Sequence, residues 1–240
     1  MLSPLAEPST ILLTGATSGI GRALKDQLMA QGHALVTISR NATTDAGAAT
    51  AYDCDLADSA AVVRVCGEIK RHHHDIGVVI NNAAVQHAAP LADTTPAQVV
   101  EEAQVNLVAP ALIIQSFLPR LLRRAEASAI VNVSSGLAFF PKEATSLYCA
   151  TKAAIHSLSQ SVRYACEGSA VLVTEVILPL VATPMTEGRG RRKLSADDAA
   201  HAIIAGLKAN RSEVWVDRAR LLPVIGCLAP AVGRKMLRRG

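Results

Sequence analysis

Tyr148 and Lys152 stand four residues apart in Ser146-Leu-Tyr-Cys-Ala-Thr-Lys152, where helical periodicity begins. A helix there carries both side chains on one face. A free tyrosine titrates near pH ~10, which makes it a poor acid at neutrality. A neighbouring ammonium can bring that down by roughly 1–3 pH units, and a helix N-terminus adds a smaller push. The pair could then deliver a proton to a carbonyl oxygen as it becomes an alkoxide. Ser135 lies thirteen residues before Tyr148, just past the strand pattern Ile130-Val-Asn-Val-Ser134. A hydroxyl at the carboxyl end of a parallel strand can bond the reacting oxygen. Asn106 is polar within the apolar run Gln104-Val-Asn-Leu-Val108 and needs a partner. That partner is either backbone freed near Pro110 or a member of the chemical site.

A second constellation suits phosphate. Thr14-Gly15-Ala16-Thr17-Ser18-Gly19-Ile20-Gly21 follows a strand pattern and opens a helix. Gly15 permits the tight turn, Gly19 lets backbone approach a phosphate, and Gly21 lets the helix pack close to the strand. The helix N-terminus offers free N–H groups and partial positive charge. The absence of Gly-Lys-Ser/Thr excludes a P-loop. The second strand ends in Ile38-Ser39-Arg40-Asn41, with Ser39 where a carboxylate would bind an adenosine 2′-hydroxyl. An arginine fork suits a dianionic 2′-phosphate, and the missing acid removes repulsion, so the expected cofactor is NADP(H).

These groups need a frame. Short β-branched runs at Thr10–Thr14, Ala34–Ser39, Thr50–Cys54, Val78–Asn81, Ala129–Ser134, Val171–Leu178 and Glu213–Asp217 alternate with helical patterns near 19–31, 58–71, 96–124, 146–167 and 195–209. Several strands are apolar throughout, as strands buried on both faces must be. The expected fold is α/β, a single doubly wound Rossmann-type domain over 1–240 with a predominantly parallel seven-stranded sheet flanked by helices. Thr95-Pro96 and Ser195-Ala-Asp-Asp198 are helix starts, and Pro110 should kink or divide the third helix. Val181–Leu194, with two glycines and four basic residues, reads as a substrate loop.

Composition bounds the rest. Of 240 residues, 50% are hydrophobic and 18% charged, which excludes a disordered chain. The most apolar run, Ala103–Pro119, carries three polar amides, so no membrane span is expected. No secretory signal is visible, and five scattered cysteines without CxxC spacing read as reduced thiols, so a cytoplasmic location is expected. The net charge of +4 is uneven: residues 211–240 carry seven Lys/Arg against Glu213 and Asp217, or +5, and the rest of the chain sums to −1. Without interleaved aromatics this reads as a solvated face and not as a nucleic-acid site. His72-His73-His74-Asp75 cannot converge on one ion from a helix, so no metal is expected.

Together these residues resemble the short-chain dehydrogenase/reductase family, over nearly the whole chain. Its TGxxxGxG turn stands at 14–21, its NNAG motif at Asn81-Asn82-Ala83-Ala84, and its Ser…YxxxK set at Ser135, Tyr148 and Lys152. Ile130–Ser157 is similar to the DltE-type subgroup. The resemblance implies an oxidoreductase interconverting a carbonyl compound and an alcohol, with Tyr148 as general acid/base. Lys152 would lower its pKa and bind the nicotinamide ribose, Ser135 would orient the oxygen, and Asn106 would hold a water. Cofactor contacts would come from Gly15, Thr17, Ser18, Gly19, Ile20, Gly21, Ser39, Arg40, Asp55, Leu56, Asn82, Ala83, Ala84, Tyr148, Lys152, Val181 and Thr183. A homodimer or homotetramer through the helices at 96–124 and 146–167 is also implied.

Two departures bear on the site. Ala84 replaces the motif's glycine, which could alter φ there, and Pro179 removes a backbone donor after the sixth strand. Leu137, Phe139, Leu180 and Met185 are candidate lining residues for a lipophilic substrate, although Phe139 serves core packing equally well. Cys149 reads as packing. The apolar, basic tail (219–240) could cover the substrate cleft, join subunits or rest on a membrane. An NAD(H)-dependent alcohol dehydrogenase and a nucleotide-sensing protein without turnover are the alternatives.

Overall fold

Alternation along each strand decides the layers. In β1 (Thr10–Thr14), Ile11 and Leu13 enter one apolar cluster and Leu12 the other; in β5 (Ser128–Ser135), Ala129, Val131 and Val133 oppose Ile130. A parallel strand buried on both faces must present apolar side chains in both directions. The first cluster is closed by Leu24 and Leu28 of α1 (Gly19–Ala30) and by Ile203 and Leu207 of α6 (Ala196–Lys208). The second is closed by Val62 and Ile69 of α2 (Ser59–His72) and by Ile113 and Phe117 of α4 (Ala109–Leu121). Val162 of α5 (Ser146–Ala165) packs against that side.

The computed structural model describes residues 3–40, 50–190, 192–229, 231 and 238. Within them the remaining strands are β2 (Ala34–Ser39), β3 (Thr50–Asp53), β4 (Ile76–Asn81), β6 (Val171–Leu178) and β7 (Glu213–Trp215). They form one seven-stranded sheet in the order β3-β2-β1-β4-β5-β6-β7, every pairing parallel. The doubly wound α/β expectation therefore holds. The order reverses between β1 and β4, where an open sheet leaves a crevice at its carboxyl edge. Asn41, Arg191 and most of the tail beyond Ala229 lie outside the described residues.

The third helical stretch is divided, as Pro110 predicts. α3 (Pro96–Ala103) begins on a Thr95–Gln98 capping box, a π turn follows at Gln104–Val108, and α4 resumes with Pro110 in its first turn. A proline there lacks only an N–H that would have no helical partner. The wider π turn carries Asn106. Past β7, a 3₁₀ turn (Asp217–Leu221) leads into α7 (Leu222–Leu228). Among the described residues no helix is long and apolar enough to cross a membrane.

Candidate active site

The carboxyl edge of the sheet opens into a cavity of ≈ 590 Å³, bounded at one end by Ser39, Arg40 and Asp55 and at the other by Ser135, Tyr148 and Leu222. Its volume is within the ~300–1,000 Å³ usual for a small-molecule or cofactor site. The glycine turn forms one wall. Gly15 and Gly19 hold φ of 70° and 51°, in the left-handed region that favours glycine. A Cβ on Gly21 would lie 1.9 Å from the Gly15 carbonyl oxygen, so Gly21 is what lets α1 approach β1. Gly19 abuts the Thr183 methyl, which ties the turn to the loop after β6.

Thr14 fastens that wall to the segment after β4. Its hydroxyl accepts from the backbone N–H groups of Asn82 and Ala83, each at 3.0 Å. Asn82 returns the bond through Nδ2, donating to the carbonyls of Thr14 (3.0 Å) and Gly15 (3.2 Å). The two motifs are therefore one hydrogen-bonded unit. Ala84 lines the cavity and is not among the residues with positive φ, so alanine adopts this backbone without strain and the altered φ considered from its sequence does not occur.

Several features test whether a nicotinamide dinucleotide fits. Ser18 N-caps α1, whose first turn holds no acid, so the helix end keeps its positive potential toward the cavity. The Ser39 hydroxyl is buried in the cavity wall without a hydrogen-bond partner, beside exposed Arg40. A buried hydroxyl left so is costly, and a phosphate oxygen would satisfy it. Asp55 and Leu56 line the same end, and the Asp55 carboxylate accepts from Ala57 N at 3.0 Å. These residues fit the cofactor.

At the other end, α5 sets Tyr148 and Lys152 one turn apart, with Lys152 Nζ 5.4 Å from the centre of the Tyr148 ring. Lys152 is 3% exposed and donates to the Val133 carbonyl at 2.9 Å. Ser135 caps the turn that follows β5, its hydroxyl accepting from Leu137 N at 3.2 Å. Buried Asn106 accepts from Val85 N (2.9 Å) and donates to the Val85 carbonyl (2.8 Å) and to Thr151 Oγ1 (3.3 Å). Its amide thus binds the exit of β4, not backbone near Pro110. A small second cavity also joins Asn106 to Lys152, Asn81 and Asn132.

Electrostatics correct one expectation. Tyr148 is half-buried in the cavity wall, and desolvation there pushes its pKa above the ordinary phenol value. Cys149 and Glu102 push the same way, and the cation that opposes them is Arg189. Lys152 is not among the charges that shift Tyr148, and burial pushes Lys152 itself down, to about 8, against the pull of Glu175. Desolvation disfavours both charged forms at once.

The Val181–Leu194 loop is drawn together at its base. Val181 and Leu194 form a parallel bridge, and Ala182 N donates to the Leu194 carbonyl at 2.8 Å. Thr183 caps a 3₁₀ turn at Pro184–Thr186. Leu137, Leu180 and Met185 line the cavity. Phe139 is placed elsewhere, its ring 4.6 Å from His156 and 4.8 Å from Trp215, so it serves packing. Arg189 and Arg192, two of the basic residues of the Val181–Leu194 loop, also line the cavity; Lys142, Arg218 and Leu222 line it too, and the sequence reading does not single them out. Leu222 seats the start of the tail over the site: a Cβ on Gly136 would lie 2.6 Å from its Cδ1. Among the described residues no cluster of His, Cys, Asp or Glu could hold a metal.

Residues 9–194 match the short chain dehydrogenase family. The uncharacterized oxidoreductase DltE of Bacillus subtilis is 30% identical over 224 residues, covering 88% of each chain. A short-chain dehydrogenase from Sphingobium yanoikuyae, solved with NADPH, superposes with a TM-score of 0.81 at 25% identity, over 93% of this chain and 95% of that one. One from Burkholderia phymatum, solved with NAD, gives 0.80 at 21% identity, over 97% and 96%. The motifs, the doubly wound sheet and these likenesses agree: the chain belongs to the short-chain dehydrogenase/reductase family, in its DltE-type branch, and is an oxidoreductase.

Proposed function

We propose that the protein interconverts a ketone or aldehyde with an alcohol, using NADP(H), on a lipophilic small molecule. The observation that carries this is the cavity itself. One end gathers Ser135, Tyr148 and Lys152, and the other presents Arg40 beside an unpartnered Ser39 hydroxyl. A nicotinamide dinucleotide supplies the hydride. Gly15, Thr17, Ser18, Gly19, Ile20 and Gly21 would hold its phosphates, Ser39 and Arg40 its 2′-phosphate, Asp55 and Leu56 its adenine. Asn82, Ala83, Ala84, Lys152, Val181 and Thr183 would hold its nicotinamide half. Since similar folds were solved with NADPH and with NAD, the choice rests on this chain's own Ser39 and Arg40.

The chain's residues then manage the proton. Ser135 hydrogen-bonds the carbonyl oxygen, and Tyr148 donates its phenolic proton as that oxygen gains negative charge. The raised pKa of Tyr148 keeps the proton in place at neutral pH, which suits carbonyl reduction. Asn106 fixes the backbone at Val85 and donates to Thr151 Oγ1, on the residue before Lys152. Four of the five thiols are buried and unpaired, in keeping with a cytoplasmic setting. Exposed Val100, Leu122 and Tyr164 lie on or beside α3, α4 and α5, where self-association would cover them, and light scattering measures it.

The test is a fluorescence titration with NADPH and, separately, NADH. NADPH binding at least about tenfold tighter (about 1.4 kcal/mol) is expected. Equal or tighter NADH binding overturns the reading of Ser39 and Arg40.

A further inference from the structure

Reduction of a carbonyl needs no cation beyond Lys152, yet the substrate end of the cavity is lined by Lys142, Arg189, Arg192 and Arg218. Among the described residues, no carboxylate lies within ion-pair distance of any of these four. The one acid lining the cavity there, Asp55, is at the adenine end. All four share one cavity wall with Ser135 and Tyr148, and three observations locate the segments that carry Lys142, Arg218 and Arg189. Lys142 N donates to the sulfur of Cys149, the residue after Tyr148. Leu222, four positions past Arg218, packs on Gly136, the residue after Ser135. Half-buried Arg189 donates from Nη1 to Gln86 Oε1 at 2.7 Å and from Nη2 to the Met185 carbonyl, which fixes its guanidinium at the mouth of the site.

Guanidinium groups stay charged at any working pH, and like charges gathered around a partly enclosed, low-dielectric space repel. Between them the wall is apolar, made by Leu137, Leu180, Met185 and Leu222, of which Leu180 and Met185 are over a third exposed. An apolar wall with a cationic rim fits a molecule with an apolar body and an anionic end. We propose that the substrate is an amphipathic carbonyl compound bearing a carboxylate or a phosphate ester away from the reacting carbon. Lys142, Arg189 and Arg218 would receive that anion. This rests on the carbonyl-reducing reading above.

Calorimetric titration of the full chain with decanoate, decyl phosphate, decan-1-ol and decyltrimethylammonium tests the charge directly, without turnover. Decanoate or decyl phosphate should bind at least about tenfold tighter than decan-1-ol, and the preference between the two anions names the headgroup. The triple variant Lys142→Gln, Arg189→Gln, Arg218→Gln should bring the anion and the alcohol to similar affinity. Decan-1-ol binding as tightly as either anion in the parent protein overturns the proposal. So does an anion preference that survives in the variant, or a variant that loses NADPH affinity and keeps that preference, which would assign the cations to the cofactor's phosphates. Circular dichroism confirms that the variant is folded, and the single Arg218→Gln variant, at an exposed position, should show part of the loss. NADPH consumption with 10-oxodecanoate is scored separately: its absence alongside selective decanoate binding removes the reductase reading and leaves the anion site standing.

Discussion

The two ends of the cavity are built differently. At the cofactor end, strand, turn and helix follow one another within a few residues, and each position has one steric job. Gly21 clears the Gly15 carbonyl, Gly15 and Gly19 take positive φ, and Thr14 accepts two N–H groups from just past the neighbouring strand. At the substrate end the parts come from the turns after β5 and β7, the loop after β6 and the segment after β4. Arg189 meets Gln86 across 103 positions of sequence. The first end is dictated by local geometry, and the second exists only once the sheet has formed. A frame of this kind can keep its cofactor chemistry while the substrate end is rewritten.

The sharpest way to break that contrast is at Tyr148, at the substrate end. Tyr148→Phe should lower kcat at least about 100-fold, the lower range of general-acid contributions, while NADPH affinity measured by fluorescence stays within a fewfold of the parent. Full activity in this variant would remove Tyr148 from the chemistry. Equal loss of cofactor affinity would mean that the two ends are not separable.

The next largest effect is on stability. Lys152 titrates near 8 when folded and near 10.5 when unfolded, so between these values the unfolded chain binds more protons. Stability therefore rises with pH across that window: the cost of burying the ammonium is present in full below about pH 8 and vanishes above about 10.5. Lys152→Met removes this term. The variant's stability relative to the parent should fall by about 2 kcal/mol between pH 7 and 9.5, read from urea midpoints at each pH. A difference that does not change with pH would mean that Lys152 is not desolvated.

These contrasts also explain what was legible in the sequence. Strands buried on both faces announce themselves as apolar runs, so the sheet is legible to within two residues at every strand end. The two-residue differences are at the start of β4, which begins at Ile76 and not Val78, and at the carboxyl end of β7, where the chain leaves the sheet for a turn at Asp217 (φ 47°). The Tyr148 and Lys152 pairing was legible because helical spacing fixes it. The direction of their titration was not, because burial depends on what the tertiary fold stacks around α5. Phe139 was ambiguous for the same reason, since its neighbours His156 and Trp215 come from α5 and β7. Of the substrate-end cations, Arg189 and Arg192 stand in the basic Val181–Leu194 stretch that composition marks, while Lys142 and Arg218 have no local pattern to betray them.

Arg40 tests the cofactor end on its own terms. Removing one charge-assisted phosphate contact should weaken NADPH binding by about tenfold in Arg40→Gln, leaving NADH binding nearly as it was. Matched losses for both nucleotides would assign Arg40 to the shared part of the cofactor, or to general stability, and not to the 2′-phosphate.

The smallest effect should come from Ala84, where the family's glycine is missing. If that glycine served a positive φ, alanine would strain the turn and its reversal would help. Here Ala84 holds an ordinary φ, so the methyl group is no obstacle to the backbone. Ala84→Gly should then change NADPH affinity less than about twofold and lower stability by about 0.4–1 kcal/mol, through the extra freedom of the unfolded chain. A tenfold gain in affinity would show instead that the methyl crowds the nicotinamide half. The cofactor end would then carry a compromise of its own, and its contrast with the substrate end would narrow.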